Sequence, residues 1–149
     1  MASALDILPT FCKLSGTPLP ADLLLDGTDL SPAFDGLPID RSQPLVWAYY
    51  NSLNEACVAL RDGPWKVLGV LNEGQLPKNT NLTTQNAKPY TGARVTDVEV
   101  YRVAGDIGES EDLALQDAVL RQRWIERLNK AYRELVAGSH IWRPVAGSK

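Results

Sequence analysis

The segment from Cys57 to Leu68 restricts the possible folds more than any other part of this 149-residue chain. Two short apolar runs flank Asp62-Gly63-Pro64. Asp and Gly tolerate the backbone angles of a tight reversal, proline fixes its own φ, and β-branched or aromatic residues favour a pleated surface. The segment therefore predicts a β-hairpin with strands at Cys57–Arg61 and Trp65–Leu71.

Two further strands and one long helix complete the predicted domain. Residues Leu45 to Tyr50 alternate as a strand does, and a strand is also expected from Val98 to Val103. From about Gln116 to Val136 apolar residues recur at helical spacing, and Gly138 can end the helix. We predict an α+β fold, in which a four-stranded antiparallel sheet is packed by one long carboxy-terminal amphipathic helix.

A short helix and an extended linker are expected before this domain. Asp6 can cap a helix that Gly16 ends, and the prolines that follow favour a loop to about Gln43. Residues 72–94 lack periodicity and are long for a loop inside a compact domain, which indicates either a functional surface loop or local mobility. We therefore divide the chain into residues 1–43, helix plus linker, and residues 44–149, the compact domain.

Composition argues against several classes of function. The net charge is -3 and the basic residues are scattered, so no nucleic-acid partner is expected. No apolar run approaches the roughly 18 residues of a membrane span. Asp6 and Pro9 interrupt the apolar start, so no signal peptide is predicted and the compartment stays open. The two cysteines lack the spacing of metal ligands and are interpreted as buried thiols.

Four segments in order resemble the carboxy-terminal portion of sulfatases of the arylsulfatase A and N-acetylgalactosamine-6-sulfatase type. Besides the hairpin, the resemblance rests on the tyrosine-led strand, Asp-x-Gly-Glu turn and Asp-Leu-Ala helix entry of Tyr101 to Ala114. It extends to Asp6–Gly16 and Leu25–Pro32, which are similar to the end of the large sulfatase domain and the connection after it.

The resemblance also implies what this chain lacks. Sulfatases cleave sulfate esters with a formylglycine made from the Cys of Cys-x-Pro-Ser-Arg, beside a divalent cation, usually calcium. Here Cys12 begins Cys-Lys-Leu-Ser and Cys57 begins Cys-Val-Ala-Leu. The family's metal-binding segments precede the part that this chain resembles. We therefore expect no catalytic residue, no metal site and no cofactor in this chain, and no activity from it alone. Parent enzymes are often exported to the periplasm, the lysosome or the cell exterior.

Two functions follow as hypotheses. The first is the carboxy-terminal fragment of a sulfuric-ester hydrolase, which packs against the catalytic domain and shapes the substrate entrance. Its partner would be that domain, or a second copy through Leu5, Leu8 and Phe11. The alternative is a stand-alone interaction module that retains the fold.

Candidate site residues are few. His140 and Trp142 are substrate-entrance candidates, although a surface or packing role is the simpler interpretation. The acidic residues Asp106, Glu109, Glu111 and Asp112 lack the spacing of a calcium loop and are expected to favour a helix entrance. Of the aromatic residues, Trp47 or Tyr49, with Trp65 and Trp124, is expected to fill the core between sheet and helix.

Overall fold

The computed structural model describes residues 1–19, 22, 25–78 and 81–143. The chain divides into two compact units, Met1–Leu45 and Val46–Lys149. Whether the first unit is the tail of a large sulfatase domain stays a prediction. Among the described residues, no helix combines the length and the apolar character needed to cross a membrane.

The first unit contains two short helices. A 3-10 turn at Ala4–Asp6 leads into α1, Ile7–Ser15, which ends at Gly16 with a left-handed φ of 70° as predicted. The second helix, α2, is Ser31–Phe34. Asp6 does not cap α1 with its side chain, because its carboxylate is buried and accepts hydrogen bonds from elsewhere in the unit. Ser3 instead provides a capping box at the 3-10 turn.

The second unit carries the predicted sheet. Its strands are β1 (Leu45–Ala48), β2 (Ala56–Asp62), β3 (Trp65–Leu71) and β4 (Val95–Arg102), in that spatial order. The β2–β3 and β3–β4 pairs are antiparallel. Asp62 pairs with Trp65, so Gly63 and Pro64 form the turn, and Gly63 has a φ of 51°. The hairpin prediction is therefore confirmed.

The long helix α4, Ala118–Gly138, covers one face of the sheet. Trp124, Leu128 and Tyr132 lie one turn apart and are buried. The side chain of Leu128 packs closely on Gly69, since a Cβ there would lie 2.5 Å from its Cδ2 and would force Leu128 to shift. The α+β prediction is confirmed, and Val58, Leu60, Val67 and Val100 are among the other residues of the core.

Side chains form hydrogen bonds with some of the backbone groups on the outer edge of β4. The amide of Asn129, on α4, accepts a hydrogen bond from the N–H of Val95 at 2.8 Å and donates one to its carbonyl at 2.9 Å. Asp112 accepts from the N–H of Val100 at 2.8 Å. Both contacts occupy backbone groups that an edge strand would otherwise leave unpaired.

Several details differ from the sequence predictions. Residues 72–94 are not a structureless loop, since they contain a 3-10 turn at Asn72–Gly74 and a helix α3 at Lys88–Thr91. Trp47 and Tyr49 are 45% and 59% exposed, so neither fills the core. The strand β1 ends at Ala48, two residues before the predicted end at Tyr50. Tyr50 packs against the core, in place of Trp47 or Tyr49. Trp65 is only partly buried, with its ring 5.8 Å from that of Trp124.

Candidate functional site

The segment after α4 places the two predicted site residues side by side. The rings of His140 and Trp142 meet edge to face, with centroids 4.4 Å apart. Both side chains are exposed, Trp142 by 61%. The pair therefore offers an imidazole beside an aromatic face at the surface. A role at a substrate entrance stays a prediction.

Backbone pairing fixes this segment to a distant part of the same unit. The N–H of Trp142 donates to the carbonyl of Leu82 at 3.0 Å, and the N–H of Thr84 donates to the carbonyl of Trp142 at 3.0 Å. These bonds form a parallel bridge between Thr83 and Trp142. Because the two partners are some sixty positions apart in sequence, no local pattern could have indicated the contact.

Three tyrosines form a hydrogen-bonded cluster that the sequence analysis missed. The hydroxyl of Tyr132 donates to the carbonyl of Tyr90 at 2.8 Å, and the hydroxyls of Tyr132 and Tyr50 are 3.1 Å apart. The single hydroxyl proton of Tyr132 is thereby used, so Tyr50 is the donor to it. Burial raises the pKa of both Tyr50 and Tyr132 above the ordinary value of 10.0. The sequence analysis placed Tyr50 at the end of a predicted strand and Tyr132 within the predicted long helix, but it gave no sign that they meet.

A cavity of about 150 Å³ adjoins the cluster at Tyr50. Cys57, Leu71 and Leu76 supply apolar lining, and Glu55 and Lys78 supply one charge of each sign. Burial raises the pKa of the Cys57 thiol, which disfavours the thiolate that a nucleophile needs.

Three of the four acidic residues between positions 106 and 112 stabilise the loop that follows β4. Asp106 accepts hydrogen bonds from the N–H groups of Ser110 and Glu111, both at 3.0 Å, and these bonds lower its pKa. Glu109 pairs with Lys66 at 2.5 Å. Asp112 caps the 3-10 turn at Leu113–Leu115, by accepting from the N–H of Ala114. Each of these three carboxylates thus has a structural partner.

The residues present do not fit the metal and nucleophile of sulfatases. Across residues 1–19, 22, 25–78 and 81–143, no group of three or more histidine, cysteine, aspartate or glutamate side chains is arranged to hold a metal ion. Both cysteines are free thiols, Cys12 on α1 and Cys57 on β2. Neither is followed by Pro-Ser-Arg at the required spacing.

Comparisons with known proteins bear on the family. Over 50 residues the chain is 40% identical to human steryl-sulfatase, a match that covers 34% of this chain and 9% of that protein. The resemblance to the carboxy-terminal portion of sulfatases is confirmed. No family model matches the chain.

One of the solved structures that the chain matches shares the fold, at a TM-score of 0.50. A chain labelled BT33336S-sulf, from work on the metabolism of multiple glycosaminoglycans by Bacteroides thetaiotaomicron, superimposes with a TM-score of 0.50 and 16% identity. That match covers 89% of this sulfatase-like chain and 24% of the other. A protein solved in complex with its substrate, D-glucosamine-2-N,6-O-disulfate, gives a TM-score of 0.48, 18% identity and coverage of 87% and 24%. The chain thus spans a small part of the proteins it matches.

Proposed function

We propose that this chain is the carboxy-terminal portion of a sulfatase-type sulfuric-ester hydrolase, where it supports the catalytic domain and shapes the substrate entrance. The observation that carries the proposal is the 40% identity to steryl-sulfatase over 50 residues. The fold shared with a much longer chain agrees with a supporting role, because this chain corresponds to 24% of that length.

Catalysis would belong to the remainder of the enzyme. In intact sulfatases the formylglycine supplies the nucleophile and the divalent cation stabilises the sulfate charge. Neither Cys12 nor Cys57 lies in the maturation motif, and burial raises the pKa of the Cys57 thiol. The chain alone would therefore be inactive and would carry no cofactor of its own.

The exposed side of α1 is the proposed contact with the catalytic domain. Leu8, Phe11 and Leu14 are 48%, 65% and 57% exposed, whereas Pro9 and Thr10 are buried. An amphipathic helix ordinarily buries its apolar side, so this orientation leaves an apolar surface without cover. Leu5, at 46% exposure, extends the same surface. A catalytic domain would bury these side chains, and a second copy of the chain is the competing occupant.

The substrate-entrance role rests on His140 and Trp142. An imidazole beside an indole ring can contact a polar ester and an apolar or sugar ring together. The backbone of Trp142 is fixed by Leu82 and Thr84, so its ring, against which His140 packs, would keep its position when substrate enters. These residues would contact substrate without taking part in bond cleavage.

Activity measurements on the purified chain test the proposed inactivity. We expect no hydrolysis of 4-nitrophenyl sulfate above buffer with calcium or magnesium added. A variant with Cys12→Ser and Cys57→Ser serves as the matched control for contaminating enzyme. Metal-dependent turnover by the wild-type chain that this variant lacks would contradict the proposal.

A further inference from the structure

One side chain organises the segment that holds Trp142 in place. The amide of Asn86 accepts a hydrogen bond from the N–H of Thr83 at 2.7 Å and donates one to the carbonyl of Asn81 at 3.2 Å. These two contacts flank Leu82, whose carbonyl accepts from the N–H of Trp142. Asn86 therefore connects to the backbone on both sides of the acceptor that Trp142 uses.

The backbone of Thr83 is turned so that its neighbours face Trp142. Its N–H bonds to the Asn86 side chain, and its carbonyl accepts from two N–H groups of the turn that follows, at 3.1 and 2.9 Å. Backbone groups alternate in direction along an extended segment, so the carbonyl of Leu82 and the N–H of Thr84 point the other way. Those two groups are the ones that bond to Trp142.

The helix α3, which begins two residues after Asn86, is anchored in the core. Ala87 and Tyr90 are only 6% and 2% exposed. The carbonyl of Tyr90 accepts from the hydroxyl of Tyr132 on α4, and the hydroxyl of Tyr90 donates to the carbonyl of Pro77 at 2.7 Å. A side chain that orients other groups does so most precisely from an anchored element. Asn86 therefore acts from a fixed position.

Ser3 and Asp6 form the same contact at the same spacing of three residues. The N–H of Ser3 donates to the Asp6 carboxylate at 2.7 Å, as part of a capping box. Asparagine and aspartate both carry the oxygen that this bond needs, but only asparagine can donate to a carbonyl such as that of Asn81. An aspartate in place of Asn86 would therefore keep the contact with Thr83 and lose the contact with Asn81.

We propose that Asn86 is a positioning residue for the pair formed by His140 and Trp142. Asn86 fixes the backbone of residues 81–83 and so determines where Trp142 is held. Trp142 in turn carries the ring on which His140 packs. The inference rests on the proposed role of this pair at a substrate entrance, but the positioning itself can be measured in the chain alone.

The imidazole proton signals of His140 test the positioning. His140 is the single histidine of the chain, so these NMR signals are unique, and the adjacent Trp142 ring displaces them from the values of an unstructured histidine. At one fixed pH, Asn86→Ala should remove most of this displacement, as Trp142→Ala should, whereas Asn86→Asp should retain it. Asn54→Ala, at an exposed asparagine of the same unit, is the matched control and should leave the signals unchanged.

Amide exchange provides a second readout and a test of folding. In Asn86→Ala the N–H of Trp142 should exchange about tenfold faster, because the support that is lost corresponds to about one hydrogen bond. Amides of β3 should stay as protected as in the wild type. Unchanged His140 signals in Asn86→Ala would overturn the proposal. Faster exchange throughout β3 would also overturn it, because Asn86 would then support the fold in general. Equal losses in Asn86→Asp and Asn86→Ala would overturn the role of the Thr83 contact.

An enzyme that includes the catalytic domain distinguishes failure of this inference from failure of the proposed role. There, Asn86→Ala and Trp142→Ala should both raise the KM for 4-nitrophenyl sulfate with little change in kcat. Displaced His140 signals with an unchanged KM would contradict the substrate-entrance role and support the positioning of the pair by Asn86.

Discussion

The fully buried carboxylate of Asp6 accepts a hydrogen bond from the guanidinium group of Arg41, thirty-five positions away. The same carboxylate accepts from the N–H groups of Ser3 at 2.7 Å and Thr28 at 2.8 Å. One side chain thus joins the start, middle and end of the first unit. A buried charge with these partners is costly to disturb, because removal of either member leaves the other uncompensated.

Substitution of Asp6 should loosen the first unit. Asp6→Asn should lower its local stability by about 3 to 5 kcal/mol, since Arg41 loses its buried counter-charge. Amide exchange at Thr28 measures the effect. Asp35→Asn, at an exposed position of the same unit, should leave exchange unchanged. Equal protection of Thr28 in all three proteins would contradict the structural role of Asp6.

The same contact should respond to acid. Burial by itself raises the pKa of Asp6, but the hydrogen bonds from Arg41, Thr28 and Ser3 outweigh it and hold the pKa below 3.8. A lowered pKa contributes stability above the unfolded value and loses it as pH falls. In the wild type, protection of the Thr28 amide from hydrogen exchange should therefore decline below about pH 4. In Asp6→Asn, the same drop in pH should leave that protection unchanged.

The close approach of Gly69 and Leu128 should appear as coupling between two substitutions. Gly69→Ala should cost about 1 to 3 kcal/mol, because the added methyl group overlaps Leu128. In the background of Leu128→Ala, the same change should cost measurably less, which a double-mutant cycle in denaturant would show. Gly105→Ala, with no atom within 4 Å of its Cβ, is the control. Strict additivity would contradict the packing.

The tryptophans should differ in their contribution to stability. Trp124→Ala should cost about 3 to 5 kcal/mol, because Trp124 is nearly fully buried. Trp65→Ala should cost less, about 1 to 3 kcal/mol, since its ring is only partly covered. Trp47→Ala, on an exposed side chain, should stay within about 0.5 kcal/mol. Denaturant unfolding followed by circular dichroism ranks the three, and any other order would contradict the assigned burial.

Alkaline pH should destabilise the second unit through Tyr101. Burial, and then the adjacent carboxylate of Glu99, raise the pKa of Tyr101 to about 12 from an ordinary 10.0. A raised pKa gives stability that is complete below pH 10 and is lost as pH rises to about 12. Wild type should lose about 2 to 3 kcal/mol more than Tyr101→Phe across that interval. Parallel losses in the two proteins would show that Tyr101 titrates normally.

Local signals predicted the hairpin and the long helix, and contacts distant in sequence explain what was missed. Asp62-Gly63-Pro64 indicated the turn because turn preferences belong to adjacent residues. The sequence pattern placed the start of β4 at Val98, three residues after the observed start at Val95. The N–H of Val95 donates a hydrogen bond to Asn129 of α4, and this contact has no local sequence signal. The partners of Asp6 were missed for the same reason.

The candidate site shows the same limit. His140 and Trp142 could be selected from their residue types, but their ring contact depends on a bridge to Thr83 that has no local signal. The cavity at Cys57 needed three dimensions as well, since its lining comes from β2, β3 and the turns around them. The sequence positions of the lining residues indicated neither the cavity nor the presence of one acidic and one basic side chain, Glu55 and Lys78, in its lining.

The reading frame upstream of the Met1 codon tests the central claim most directly. Our account predicts that the genomic DNA continues in frame and encodes a Cys-x-Pro-Ser-Arg segment, preceded by the acidic metal-binding segments of sulfatases. In the protein made from that longer frame, Phe11→Asp should reduce soluble, active enzyme, whereas Leu53→Asp, at a 96% exposed position, should not. A stop codon close to Met1, with no sulfatase segment before it, would contradict the account and favour a stand-alone interaction module.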